Sequence, residues 1–274
     1  MLLIMVSPMF AFSLFDDQGS DKEYLKLVSS IKDVTISTQK TRGLTNSFKN
    51  GNVAAQLLVY AQREQMMKDF DNIKALSTKV DLSDTYVKTS TTLMKRLKKL
   101  NRKAFKKDAP EVFGAYTGLI EEWIALNGKI IDSRFKTSGP TMYAAIVMLN
   151  STLLPLTENI GKLRGMGSGI VARGSCKPSE VAKMNSFAQN IDKYRGMMES
   201  YLNKNGCKRF SKRKVNGITK DIEDYVTLSK TEVIGQDEIA LDANKFFDQG
   251  TACIGGVLEV YNAMEGEIAK NLKN

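Results

Sequence analysis

Two arginines carry the chemistry that this sequence offers most openly. Residues 35–51 read TISTQKTRGLTNSFKNG and residues 157–174 read TENIGKLRGMGSGIVARG, so an Arg-Gly pair occurs twice among small and hydroxylic residues. Both arginines fall in stretches patterned like helix interiors, where an unpaired guanidinium is costly. In the first stretch Tyr24, Val28, Ile31, Thr35, Thr38, Arg42 and Thr45 follow at helical spacing, and the stripe turns from apolar to polar along its length. In the second, Leu154, Thr157, Gly161, Arg164 and Ser168 share one face. Glycine inside a helix costs about 0.5–1 kcal/mol relative to alanine. Gly43, Gly161, Gly165, Gly167 and Gly169 therefore imply close packing or space left for a ligand. Two guanidiniums converging between helices present flat forks of donors, which suit a planar oxyanion such as nitrate, nitrite, carboxylate or bicarbonate. The candidate ligand-binding set is Arg42, Arg164, Gly43, Gly165, Thr38, Thr45 and Ser168. The alternative is internal: either arginine pairs with a carboxylate such as Glu158, and the glycines serve helix crossing alone.

Other chemistry is hard to assemble. Histidine is absent, which removes the commonest general base, the commonest transition-metal ligand and every Ser-His or Cys-His nucleophile. Cys176, Cys207 and Cys253 show no C-x-x-C spacing, so no metal site is expected. Glu121 and Glu122 are adjacent, and on a helix they diverge by about 100°, which is poor geometry for paired acid–base work. GMGSG at 165–169 has the glycine density of a phosphate loop but follows a helix and lacks the Gly-Lys-Thr/Ser ending. No catalytic residue and no cofactor are expected.

These side chains need a helical frame. The clearest seam runs Met142, Ile146, Leu149, Leu153, Leu156, Ile160, Leu163 and Ile170, at spacings of 4 and 3 with one double step. Pro155 lies inside it and should bend the helix. Periodicity predicts helices near 21–49, 52–78, 82–107, 109–136, 141–173, 178–204, 208–231 and 236–271, broken at Asn-Gly, Gly-Pro and similar punctuation. Asp108 and Ser179 are candidate N-terminal caps. Eight helices with short connections imply an all-α fold of two stacked up-and-down four-helix bundles.

The chain of 274 residues is long enough for one large domain or two small ones, and five prolines give no sign of a long linker. Its formal charge of +10 favours anionic partners. The opening run MLLIMVSPMFAFSLF ends at Asp16 and is short for a bilayer span. Ala11-Phe12-Ser13 offers small residues for cleavage, so residues 1–13 are expected to be a signal peptide and the protein to be periplasmic, or membrane-tethered if the leader is retained. The positively charged n-region of such a leader is missing. In an oxidising compartment Cys176 and Cys207 can pair; three unpaired cysteines are the alternative.

TQKTRGLTNSFKNGN resembles the opening-helix motif of NIT domains, the nitrate- and nitrite-sensing modules of bacterial receptors and regulators. LTENIGKLRGMGSGI is similar to that family's second motif, on a fifth helix, and FFDQGTACIGGVLEVYNAMEGEI to its closing helix. The resemblance spans residues 21–271 and implies two four-helix bundles, with Arg42 and Arg164 as the ligand-binding arginines. The chain departs from the family pattern at Thr41, where an acidic or basic residue is common. Its closing helix also has no arginine, and Lys245 is the basic residue near the aromatic pair.

The expected function is that of an exported sensor domain, binding nitrate or nitrite and signalling through a membrane receptor or other protein, with a homodimer as one possible state. The alternative is a helical interaction protein with internally paired arginines, docking an acidic partner or membrane. The basic stretches LMKRLKKLNRKAFKK (93–107) and CKRFSKRK (207–214) read as solvated helix faces rather than nucleic-acid contacts.

Overall fold

The computed structural model describes residues 20–206 and 210–272. Among the described residues the fold is all-α, with eight helices and no strand. They are α1 (Asp21–Lys49), α2 (Ala55–Lys79), α3 (Asp84–Lys103) with a 3₁₀ turn at Ala104–Lys106, and α4 (Ala109–Phe135). Helix α5 runs unbroken through Pro140–Met148, a π-helical stretch at Leu149–Leu153, and Leu154–Arg173. Helices α6 (Pro178–Asn205), α7 (Lys212–Glu232) and α8 (Ala243–Asn271) follow. The expected signal peptide, and Cys207 of the expected disulfide, lie outside the described residues.

Helices α1 to α4 form one packing group, in which α1 lies against α2 and α4, and α3 against α4. Helices α5 to α8 form a second, in which α5 lies against α6 and α8, and α7 against its two neighbours. The groups meet where α1 runs along α5. Helix α1 is consequently buried on nearly every side, from Tyr24, Leu27 and Val34 to Thr35, Thr41 and Arg42. A stripe model of one apolar face does not describe a helix enclosed by neighbours. The α5 seam is buried from Ile146 through Leu149, Leu153, Leu156, Ile160 and Leu163 to Ile170, while Met142 at its predicted start is half-buried. Trp123 is fully buried on α4 and stacks with Phe70 of α2 at 6.5 Å.

Pro155 acts through the π stretch that precedes it. It offers no N–H to the carbonyl four residues back, and the wider turn lets that strand of carbonyls bond further along. Leu154 N–H donates to Leu149 O, five residues back. Several starts differ from expectation. Helix α8 begins at Ala243 rather than near 236, because the Asp242 side chain accepts from Lys245 N and fixes the first turn there. Helix α7 starts at Lys212, capped by Ser211, and α2 at Ala55. Asp108 occupies the cap position of α4 without a side-chain bond. Ser179 lies inside α6 instead; the chain enters at Lys177, whose N–H is accepted by the Glu180 carboxylate at 2.9 Å.

Candidate functional site

The two Arg-Gly segments meet at the α1–α5 contact. Gln39 donates to Thr157, Arg42 to Glu158, and Asn46 to the carbonyl of Gly165, so the partners climb together and the helices run parallel. Glycine faces glycine at the crossing: a Cβ on Gly165 would lie 3.9 Å from Gly43 Cα. Each arginine then reaches across onto the other helix. A Cβ on Gly161 would be 3.3 Å from Arg42 Nη2, and one on Gly43 would be 3.4 Å from Arg164 Nη2. The repeated pair is thus a reciprocal arrangement, in which glycines of one segment leave space for the guanidinium of the other.

The two arginines have different surroundings. Arg42 is 1% exposed and forms a bidentate pair with Glu158, Nη1 to Oε1 at 2.5 Å and Nη2 to Oε2 at 3.1 Å. Its Nη1 also donates to Thr117 Oγ1 at 2.9 Å, and Phe113 lies under the guanidinium at 4.8 Å. Glu158 has a second cation near it, Lys162 Nζ at 3.6 Å, which also pairs with Glu121. Arg164 is 3% exposed and has no carboxylate within 4 Å among the described residues. Its Nη1 donates to Thr251 Oγ1 at 2.8 Å, and its guanidinium sits 4.5 Å from the Phe247 ring centroid. Burial lowers its pKa from the ordinary arginine value to about 10, and the nearby Arg42 charge pushes the same way, while Glu158 opposes. Arg164 is therefore still a cation at neutral pH. The Nε–H groups of both arginines are buried without partners.

Arg42, Arg164, Gly43 and Gly165 are brought together as expected from their spacing. The hydroxyls of the predicted set are not. Thr38 donates to Val34 O and Ser168 to Arg164 O, so each is spent on its own helix. Thr45, one turn beyond Arg42, is buried beside the Tyr116 phenol of α4. Thr117, Phe113, Phe247, Thr251, Gly250 and Tyr225 surround the arginines and were not singled out by the sequence as site residues. The aromatic pair Phe246-Phe247 before Thr251 was the one signal available, and it does meet Arg164.

A groove of about 560 Å³ opens on the Arg42 side, lined by Phe113, Thr117, Lys162, Met166, Lys183 and Phe187 among others. Its walls come from α1, α4, α5 and α6. On the opposite side Thr251 is exposed, so Arg164 lies one residue beneath solvent.

The search of curated proteins finds no match. The solved structure of the NasR transcription antiterminator is similar in fold, with a TM-score of 0.71 at 15% sequence identity, covering 91% of this chain and 68% of that one. The family described as nitrate and nitrite sensing matches residues 33–269, which include both Arg-Gly segments and most of α8. The chain belongs to this family, the NIT domains.

Proposed function

We propose that this domain senses a small planar oxyanion, nitrate or nitrite foremost, held between α1 and α5 by Arg164 together with Arg42. One observation carries the reading: Arg164 is a buried guanidinium with no carboxylate partner among the described residues and an unpartnered Nε–H. A buried charge of this kind calls for a counter-ion. Arg42, close enough to lower the Arg164 pKa, offers a second unpartnered Nε–H. Gly43 and Gly161 leave space for the guanidiniums of Arg164 and Arg42 at the close crossing of the two helices. Glu158 already fills the Arg42 fork, so the incoming anion either binds beside it or competes for the fork, with Lys162 poised to receive the released carboxylate. Movement of Glu158 would change the α1–α5 contact, and with it the way the two helix groups sit together. A membrane receptor or other signalling protein would read that change, with export to the periplasm and a homodimer as parts of the same proposal. Isothermal titration with nitrate tests it: one site on the wild type and none on Arg164→Met is the expected pair of results. Heat-silent wild-type protein at millimolar nitrate, with no competition by nitrite, would overturn it.

A second reading has two observations of its own. Arg42 is internally paired, and Val53, Leu57, Leu58 and Tyr60 are exposed together at the start of α2. Tyr60 packs on Phe105, at the end of the basic α3 segment. In this reading the domain docks an acidic partner through that surface. The double substitution Leu57→Asp, Leu58→Asp would then abolish partner capture while leaving nitrate binding intact.

A further inference from the structure

Tyr225 lies on α7, 2% exposed, with its ring 5.0 Å from that of Phe246. Its hydroxyl is buried and has no hydrogen-bond partner, although buried polar groups are nearly always paired. The neighbouring backbone tells where that hydroxyl is. A Cβ on Gly250 would sit 2.7 Å from the Tyr225 oxygen and 2.9 Å from Arg164 Cβ, so the phenol and the arginine flank the same point of α8. Any side chain there would displace one of them. Arg164 Nε–H is unpartnered as well. Its Nη1 is already used by Thr251, whose own hydroxyl donates to Phe247 O. Two side chains that flank one glycine thus each carry a buried polar group without a partner, the Tyr225 hydroxyl and the Arg164 Nε–H.

Resting on the anion reading above, we propose that the Tyr225 hydroxyl is a further donor of the site, hydrogen-bonding one oxygen of an oxyanion whose other oxygen faces Arg164. The chemistry of a phenol suits this task. Burial pushes its pKa well above the ordinary value of 10, so it remains a neutral O–H and adds no repulsion toward an anion. It donates along one direction, and with Arg164 Nε–H it sets two separated acceptor positions. A planar anion with two or more oxygens on one centre, such as nitrate, nitrite or formate, meets both positions with different atoms. Chloride presents a single centre and satisfies them less well. Tyr225 is in this account a specificity-determining residue, and Gly250, lacking a Cβ, lets the phenol and the Arg164 side chain approach α8 closely from both sides.

The test is anion titration of Tyr225→Phe, which keeps the ring and removes the one donor. Nitrate affinity is expected to fall roughly tenfold to a hundredfold, the usual weight of a hydrogen bond to a charged group. Chloride affinity should fall less, so that the preference for nitrate over chloride narrows. Wild-type nitrate affinity retained in Tyr225→Phe, with the same preference over chloride, would overturn the assignment and leave the anion reading standing. Absence of nitrate binding by the wild type would overturn both. If the variant does not fold, wild-type protein labelled with 3-fluorotyrosine gives the answer by fluorine NMR. Nitrate must shift a solvent-protected resonance among the nine tyrosines; a spectrum unchanged at saturating nitrate would overturn the role of Tyr225.

Discussion

Lowering the Arg164 guanidinium from the ordinary arginine value to about 10 means that its charge costs the folded chain roughly 3 kcal/mol at neutral pH, at about 1.4 kcal/mol per pH unit. Because the folded value is the depressed one, the unfolded chain holds the extra proton from about pH 10 up to the ordinary arginine value, and stability rises across that window. Below it the whole cost remains, and in the proposed function a bound anion would offset it. Replacing Arg164 by Met removes the charge and also the contact with Phe247, worth about 0.5–2 kcal/mol. Urea denaturation in nitrate-free buffer should therefore show a net gain of about 1–2 kcal/mol for Arg164→Met. A clear loss of stability would mark Arg164 as a structural strut. Arg42 is the opposite case. Arg42→Met leaves the buried Glu158 with the Lys162 contact at 3.6 Å alone and should cost up to about 3–5 kcal/mol, whereas Arg42→Met combined with Glu158→Leu should come within about 1 kcal/mol of the wild type. Both arginines and their glycines were legible in the sequence, since helical spacing put them on enclosed faces. Tyr225, Thr251 and Gly250 were not, because they approach Arg164 from α7 and α8, and Thr251 is 87 residues away in the chain.

Helix α5 carries four glycines whose roles differ, and substitution separates them. A Cβ on Gly167 would lie 2.4 Å from the buried Phe246 ring, so Gly167→Ala must move one of the two. Overpacking of about 1–3 kcal/mol outweighs alanine's helical advantage there, and the variant should melt earlier. Gly196 on α6 is exposed with no neighbour within 4 Å of a Cβ, so Gly196→Ala should be more stable by about 0.5–1 kcal/mol. Thermal melts of the two variants give opposite signs if the packing is as described. The α1–α8 contact supplies a pH-dependent counterpart. Burial raises the Glu265 pKa above its ordinary 4.5, against the pull of Lys32 and Ser29. A raised folded pKa means that the Glu265 contribution is full at low pH and is lost as pH rises through the folded value. Glu265→Gln should then stabilise the protein at neutral pH, with the difference vanishing toward pH 4; a difference that grows in acid would contradict this. Helix existence was readable from periodicity because each segment is long and repeatedly broken by Gly, Pro or Asn. The start of α8 was not, since QDEIALD fits a helical pattern until the Asp242 cap is taken into account.

At the scale of the whole molecule, two groups of four helices meet through α1 and α5, and Arg164, a buried charge with an unpartnered Nε–H, lies at that junction. The α1 pattern was the hardest to read from sequence. Along most of its length α1 exposes only Lys26, Asp33 and Lys40, so its polar stripe reads as interior while the neighbours that enclose it stay unnamed by the sequence. Net charge has a simpler consequence: with +10 overall, long-range attraction favours any anion, so specificity must come from the site itself. That separation fixes the decisive experiment, a thermal-shift series at constant ionic strength with nitrate, nitrite, formate and chloride on the wild type and Arg164→Met. The account predicts a melting temperature several degrees higher in nitrate or nitrite than in chloride for the wild type, and no such difference for Arg164→Met. Equal melting temperatures in every salt for the wild type, or the same nitrate gain in Arg164→Met, would contradict it.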